Sequence, residues 1–174
     1  MRALPIIIAA GAFASSPALA ALAVGTKAPN FTTQAVIGGK PFTFTLSDAL
    51  KKGPVVLYFF PKAFTQGCTV EAHQFSEATE DFAKVGATVI GVSADDLSTL
   101  TRFSVEECRN KFAVAVASRD MIKGYDAALP LVKLSNRTSY VIGKNGRIAY
   151  SYSAMSASGH VTNTLAAARA LKGK

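Results

Sequence analysis

The chain has 174 residues, 49% of them hydrophobic, enough to bury one substantial core and with no reason to divide into two domains. Nineteen Lys and Arg against eleven Asp and Glu give a net charge of +8, but the charges are scattered, with no Lys/Arg cluster and no interleaved aromatics, which argues against a nucleic-acid surface. Two cysteines outside any C-x-x-C motif and two histidines far apart provide no zinc spacing.

The first twenty residues read as a secretory signal peptide. Arg2 supplies the positive start, Ile6 to Ala14 an apolar stretch and Ala18-Leu19-Ala20 a small-x-small cleavage pattern; a cut after Ala23 fits the same rule. The apolar stretch is broken by Pro5, Ser15, Ser16 and Pro17 and falls short of the ~20 residues of a membrane span, so no stable insertion is expected after removal. Removal takes Arg2 alone among charged residues, so 18 basic and 11 acidic residues leave +7. The expected address is the periplasm, and the expected domain spans residues 21–174.

From Leu22 to Asn30 the chain is loop-like. Alternating residues from Phe31 to Val36, a turn at Gly38-Gly39 and the alternation Phe42 to Thr45 predict a small hairpin ahead of the main sheet. Ser47-Asp48 opens a short helix that ends near Gly53. Val55 to Phe60 is a continuous apolar run with two β-branched residues and three aromatics, the pattern of a buried parallel strand, and Pro61 ends it. Thr69 to Val85 places Val70, Phe75, Ala78, Phe82 and Val85 near helical spacing, with Glu71, Glu77, Glu80, Asp81 and Lys84 largely on the other face.

Thr88 to Val92 is the next short apolar strand, and strand, helix, strand calls for a right-handed crossover and a parallel pair. A helix from about Leu97 to Lys111 carries Cys108; Ala113 to Ala117 is a weak strand and Arg119 to Tyr125 a short helix. Thr138 to Ile142, a two-residue turn of positive φ at Asn145-Gly146, and Arg147 to Tyr152 form a hairpin. A final helix runs from about His160 to Leu171. The order fits an α/β thioredoxin-like fold, a mixed central sheet flanked by helices with an amino-terminal β-hairpin, and ligands bind beyond the carboxyl ends of parallel strands.

Cys68 follows such a strand end and lies among the first residues of a helix, where unpaired amides and the macrodipole favour an anion. A cysteine attacks as thiolate, yet its ordinary pKa of about 8.5 leaves it mostly protonated at neutral pH. The residues alone leave two readings open, a working nucleophile or half of a structural disulfide. His73 is five helical steps from Cys68, a rotation of about 140°, and so points away as a surface histidine rather than a base. His160, ahead of the last helix, offers no constellation.

The run Tyr58-Phe59-Phe60-Pro61-Lys62-Ala63-Phe64-Thr65-Gln66-Gly67-Cys68-Thr69-Val70-Glu71 resembles the peroxiredoxin motif P-x-x-x-T-x-x-C in the form of the bacterioferritin-comigratory-protein, or peroxiredoxin Q-like, subgroup. Pro61, Thr65 and Cys68 fall on its three positions, and Lys62, Gly67, Thr69 and Glu71 match the surrounding pattern. Val24 to Phe31 resembles the family's opening, Ile90-Gly91-Val92-Ser93 its next strand, and Arg137 its arginine.

The resemblance implies a thiol-dependent peroxidase acting on hydrogen peroxide and organic hydroperoxides. Cys68 is then the peroxidatic nucleophile. Thr65 accepts a hydrogen bond from the peroxide or donates one to sulfur, Arg137 holds the thiolate and polarises the peroxide, Pro61 shields the pocket, and the amides near Gly67 and Cys68 cradle charge. Cys108 resembles the resolving cysteine, since His73 occupies the alternative position, and an intramolecular Cys68-Cys108 disulfide follows, with local unwinding of both helix ends. The family implies a thioredoxin-like reductant, a monomer, and no metal, haem or flavin cofactor. Ala63 and Phe64 replace residues that are commonly acidic in the subgroup, and an apolar mouth favours organic hydroperoxides. The competing readings are a non-enzymatic exported protein with a fixed Cys68-Cys108 disulfide and a thiol-disulfide oxidoreductase, whose chemistry needs two cysteines one helical turn apart.

Overall fold

The computed structural model describes residues 21–172, so the expected signal segment 1–20 lies outside the described residues. Among the described residues seven strands form one mixed sheet in the order β2 (Lys40–Thr45), β1 (Thr32–Ile37), β5 (Ala113–Val116), β4 (Thr88–Ser93), β3 (Val55–Phe59), β6 (Thr138–Ile142), β7 (Ile148–Ser153). The central strand is β3 (Val55–Phe59), every residue of which is buried, as a run of β-branched and aromatic residues covered on both faces must be. It pairs in parallel with β4 (Thr88–Ser93), which pairs in parallel with β5 (Ala113–Val116). The weak strand expected at residues 113–117 is therefore a third parallel strand.

The amino-terminal hairpin β1 (Thr32–Ile37) and β2 (Lys40–Thr45) does not stand ahead of the sheet but extends it, because β1 pairs antiparallel with β5. On the other side β3 pairs antiparallel with β6 (Thr138–Ile142), which pairs with β7 (Ile148–Ser153). Their turn differs from a two-residue one. The Gly146 amide donates to the Gly143 carbonyl, the Gly143 amide donates to the Arg147 carbonyl, and only Gly146 of the turn takes positive φ, at 73°. One left-handed residue suffices for a three-residue loop, so Asn145 stays in the ordinary region.

Alternation along β3 separates two core layers. Val55, Leu57 and Phe59 pack with α1 (Leu46–Lys52) and α4 (Arg119–Gly124) through Leu46, Leu50 and Met121. Val56, Tyr58 and Phe60 pack on the opposite face with α2 (Gln66–Lys84), α3 (Leu97–Glu106) and α5 (His160–Leu171) through Phe75, Phe103 and Leu165. Side-chain caps start two helices: Asp96 accepts from the Thr99 amide and Ser118 from the Met121 amide. Among the described residues no helix is long and apolar enough to cross a membrane.

Two helix boundaries differ from expectation, and both matter for sulfur. Helix α2 begins at Gln66, not Thr69, which puts Cys68 inside its first turn. Helix α3 ends at Glu106, so Cys108 lies beyond it rather than within it. Arg109 and Asn110 there both adopt positive φ, 52° and 60°, a conformation a continuing helix forbids.

Candidate active site

Cys68 is the third residue of α2 and is buried. The first intrahelical bond runs from the Thr69 amide to the Thr65 carbonyl, so the Gly67 and Cys68 amides precede it and are free to face an anion. Arg137 immediately precedes β6, and because β6 runs antiparallel to β3 with Thr138 opposite Phe59, it reaches the same pole of the sheet as Pro61 to Cys68. Its Nη2 donates to Cys68 Sγ at 3.4 Å. The guanidinium is itself buried and further fixed by Nε donating to the Met155 carbonyl at 3.0 Å. Gly67 is what lets it lie there, since a Cβ at that position would meet Nη2 at 3.1 Å.

Thr65 occupies the N-cap position of α2, but its hydroxyl donates to the Lys62 carbonyl at 2.9 Å. That corrects one half of the expected role. The proton is committed to Lys62, so Thr65 cannot donate it to sulfur, and its lone pairs remain to accept. Pro61 is half-buried where β3 ends. The loop after it is held by Asp95, whose Oδ2 accepts from the Ala63 amide and the Ser93 hydroxyl, each at 2.8 Å. Phe64 takes a φ of 62°, a conformation costly for a bulky residue. Its ring stands edge-on to Phe103, with the centroids 5.3 Å apart, and Arg102 lies 5.0 Å over it.

Behind the sulfur lies a buried polar cluster that the helical pattern does not indicate. Val70 and Glu71 exchange their expected faces. Val70 is exposed, whereas Glu71 is 0% exposed and its Oε2 accepts from Arg137 Nη1. A buried guanidinium needs a partner more than an apolar face needs a valine. Among the described residues Glu71 Oε1 has no hydrogen-bond partner. Geometry alone would make Glu71 and Arg137 a plain ion pair, but loss of hydration outweighs the guanidinium and pushes the carboxyl up to about 8. Burial opposes the charge of Arg137 as well, yet Glu71 and Cys68 more than offset it and hold Arg137 above its ordinary range.

His160, which sequence reasoning placed in no constellation, completes this cluster. It is fully buried, with Nε2 facing the Ala154 carbonyl at 3.0 Å, Nδ1 at 2.7 Å from the Ser139 hydroxyl and 3.6 Å from Glu71 Oε1. Burial pushes its pKa down to about 4. The imidazole is neutral at pH 7, and the carbonyl fixes the tautomer: Nε2 carries the hydrogen, and Nδ1 accepts.

Both cysteines are free and buried in the same apolar layer. The Cys108 carbonyl accepts from the Ser76 hydroxyl at 2.9 Å, and burial, with Glu107 beside it, holds the Cys108 thiol far above its ordinary range. His73 is not a bare surface residue: it is half-buried and its Nε2 lies 2.7 Å from Glu107 Oε2, tying α2 to the segment that carries Cys108. Between the two sulfurs' surroundings sits Tyr58, its ring stacked on Phe75 and its hydroxyl buried without a partner among the described residues. Desolvation first, then Cys108, Glu71 and Cys68, keep that phenol protonated.

Residues 24–151 match the AhpC/TSA family. The chloroplastic peroxiredoxin Q of Oryza sativa subsp. japonica is 36% identical over 131 residues, covering 74% of this chain and 58% of the rice protein. The chloroplastic 2-Cys peroxiredoxin BAS1 of Hordeum vulgare is 30% identical over 135 residues, covering 74% of this chain and 64% of the barley protein. The crystal structure of peroxidoxin BcpB from Mycobacterium tuberculosis superposes with a TM-score of 0.76 at 29% identity, covering 85% of this chain and 97% of that one. The chain thus spans 58% of the length of the rice relative it matches. These relatives correct the expected periplasmic address. The rice and barley proteins are chloroplastic, an address at odds with a periplasmic one. Arg2, the apolar stretch Ile6 to Ala14 and the Ala18-Leu19-Ala20 pattern do not by themselves fix an address, because organellar transit segments also carry Arg and Ser and lack acidic residues.

Proposed function

The chain belongs to the AhpC/TSA family, the peroxiredoxins, and from that premise we propose that it is a thiol-dependent hydroperoxide reductase of the peroxiredoxin Q-like subgroup. The observation that carries the reading is the 3.4 Å contact between Arg137 Nη2 and Cys68 Sγ in the first turn of α2. Two sources of positive potential converge on one sulfur, the helix terminus and the guanidinium.

Cys68 thiolate attacks the terminal oxygen of ROOH. The S–O bond forms as O–O breaks, sulfur is oxidised to sulfenic acid, and the departing RO⁻ takes a proton and leaves as water or alcohol. Thr65, its own proton spent on Lys62, accepts the hydrogen bond of the bound hydroperoxide, while Arg137 and the Gly67 and Cys68 amides stabilise the negative charge moving to the leaving oxygen. Pro61 presents no donor and keeps water from the loop's inner edge. Cys108 then attacks the sulfenic sulfur as thiolate, releasing water and forming a disulfide within the chain. In the reduced fold Cys108 is buried and strongly protonated, so resolution requires the segment after α3 to unwind first. A thioredoxin-like dithiol returns both sulfurs to thiols. No cofactor takes part, and a single chain carries both cysteines, so the catalytic unit is the monomer.

The apolar rim that the exposed Phe64 ring provides favours organic hydroperoxides over hydrogen peroxide. Stopped-flow mixing of reduced protein with one equivalent of hydrogen peroxide or cumene hydroperoxide tests both points. Rapid consumption that is lost in Cys68→Ser is expected; Cys68→Ser as fast as wild type overturns the peroxidase reading, and equal rates on the two substrates overturn the rim preference.

A further inference from the structure

The residues Glu107 to Lys111 follow the end of α3 and carry Cys108, and three consecutive ones are tied to a single face of α2. Glu107 Oε2 lies 2.7 Å from His73 Nε2, the Cys108 carbonyl accepts from the Ser76 hydroxyl at 2.9 Å, and Arg109 Nη1 donates to Glu77 Oε1 at 3.4 Å. Ser76 and Glu77 follow His73 by three and four positions, the spacing that sets side chains on one side of a helix. The contacts thus run in register, residue by residue, along α2.

The attachment is built to come apart and re-form. The Ser76 hydroxyl already lies 2.8 Å from the Ala72 carbonyl and shares its one hydrogen between two acceptors, so when Cys108 departs it falls back on Ala72. The side chains of His73 and Glu107 are 34% and 20% exposed, and those of Glu77 and Arg109 more so, so water replaces each lost partner. On the other side, Arg109 and Asn110 hold φ of 52° and 60°, a left-handed conformation that is costly for a residue with a side chain and is given up when the segment unwinds. Burial of Cys108 and the contacts to α2 work against that release.

We propose that His73, Ser76 and Glu77 form a clasp that sets how often the Cys108 segment opens, and that His73 and Ser76 are thereby positioning residues of the resolving step. Glu77 adds little, because its pair with Arg109 is exposed. The clasp lies farther along α2 than Cys68, so Cys108 cannot travel toward the start of the helix while it is fastened. Once it is free, the Cys108 thiol gives up its proton and attacks the sulfenic sulfur of Cys68. The S–S bond forms as S–O breaks, and the departing hydroxide takes a proton and leaves as water. The inference rests on the proposed function for the role of Cys108, whereas the clasp itself is a property of the reduced fold.

Amide hydrogen exchange on the reduced full chain tests the clasp without peroxide. The Cys108, Asn110 and Lys111 amides donate to the Phe103, Ser104 and Cys108 carbonyls, so their exchange reports opening of this segment. Ser76→Ala should speed exchange at these three amides about fivefold and His73→Ala about threefold, with more in the double variant than in either single one. The amides of β4 should not change. Exchange unchanged in both single variants, or speeded as much in β4 as in the segment, overturns the clasp. Disulfide formation from the Cys68 sulfenic acid, followed by acid quenching and mass analysis, should accelerate by the same factors, while sulfenic acid formation stays within about twofold of wild type. Faster exchange with unchanged disulfide formation overturns the positioning role. A protein whose Cys68 is inert to peroxide refutes the proposed function, and the exchange result still decides whether the clasp exists.

Discussion

Gly67→Ala tests whether the Arg137 contact carries reactivity. The added Cβ would meet Arg137 Nη2 at 3.1 Å, closer than ordinary van der Waals contact, and Gly67 is not in the left-handed region, so the backbone accepts alanine without strain. The guanidinium must give way by a few tenths of an ångström, and its 3.4 Å hydrogen bond to the Cys68 sulfur is expected to lengthen with it. At an effective dielectric constant of about 20, a unit charge pair at 3.4 Å is worth about 5 kcal/mol and at about 4 Å about 4 kcal/mol. The loss, somewhat under 1 kcal/mol, lowers the second-order rate of peroxide reduction about threefold, and about tenfold if the directed hydrogen bond breaks as well. Alanine in a helix is favoured over glycine by about 1 kcal/mol, so stability should hold or rise. Stopped-flow rates and urea unfolding on the same preparation distinguish the effects. An unchanged rate with unchanged stability refutes the claim that this contact matters.

Tyr58→Phe removes a buried hydroxyl that has no partner while keeping the ring stacked on Phe75; urea unfolding should show a gain of about 1 kcal/mol, and a loss of that size would mean the hydroxyl is satisfied. Glu71 and His160 shape the pH dependence of stability in opposite senses. Glu71, raised from 4.5 to about 8, stabilises the fold below pH 4.5 and loses that contribution as pH rises through 8; His160, lowered from 6.5 to about 4, contributes above pH 6.5 and loses it as pH falls through 4. They offset each other between 4.5 and 6.5, so wild-type stability should fall from pH 6.5 to 8, and Glu71→Gln should abolish that fall; an unaltered slope in the variant contradicts it. Cys108→Ser should consume its first equivalent of peroxide at the wild-type rate but stop at sulfenic acid, as trapped by dimedone; a slow first turnover would place Cys108 in the chemical step itself.

What was legible in the sequence was what is local. Pro61, Thr65 and Cys68 sit within one strand-to-helix passage, so their spacing alone sets them at the carboxyl end of β3. Arg137 was found through likeness of its surrounding segment, and antiparallel pairing of β6 with β3 brings it across. Glu71 was misplaced because helical periodicity assigns a glutamate to solvent unless a buried cation claims it, and that cation is sixty-six positions away. His160 had no local signal: Ser139, Ala154 and Glu71 meet it only after β6, β7 and α2 have packed. The end of α3 was missed because Arg109 and Asn110, not a glycine or proline, take the positive φ that breaks it.

The central claim is that Cys68 is oxidised by peroxide and resolved by Cys108 of the same chain. Intact mass and peptide mapping of reduced protein treated with one equivalent of hydrogen peroxide test it most directly. The account predicts a monomer lighter by two hydrogens, with a single disulfide joining the peptides of Cys68 and Cys108. A monomer carrying an added oxygen on Cys68 with Cys108 still a free thiol, or a chain unchanged in mass, would contradict it.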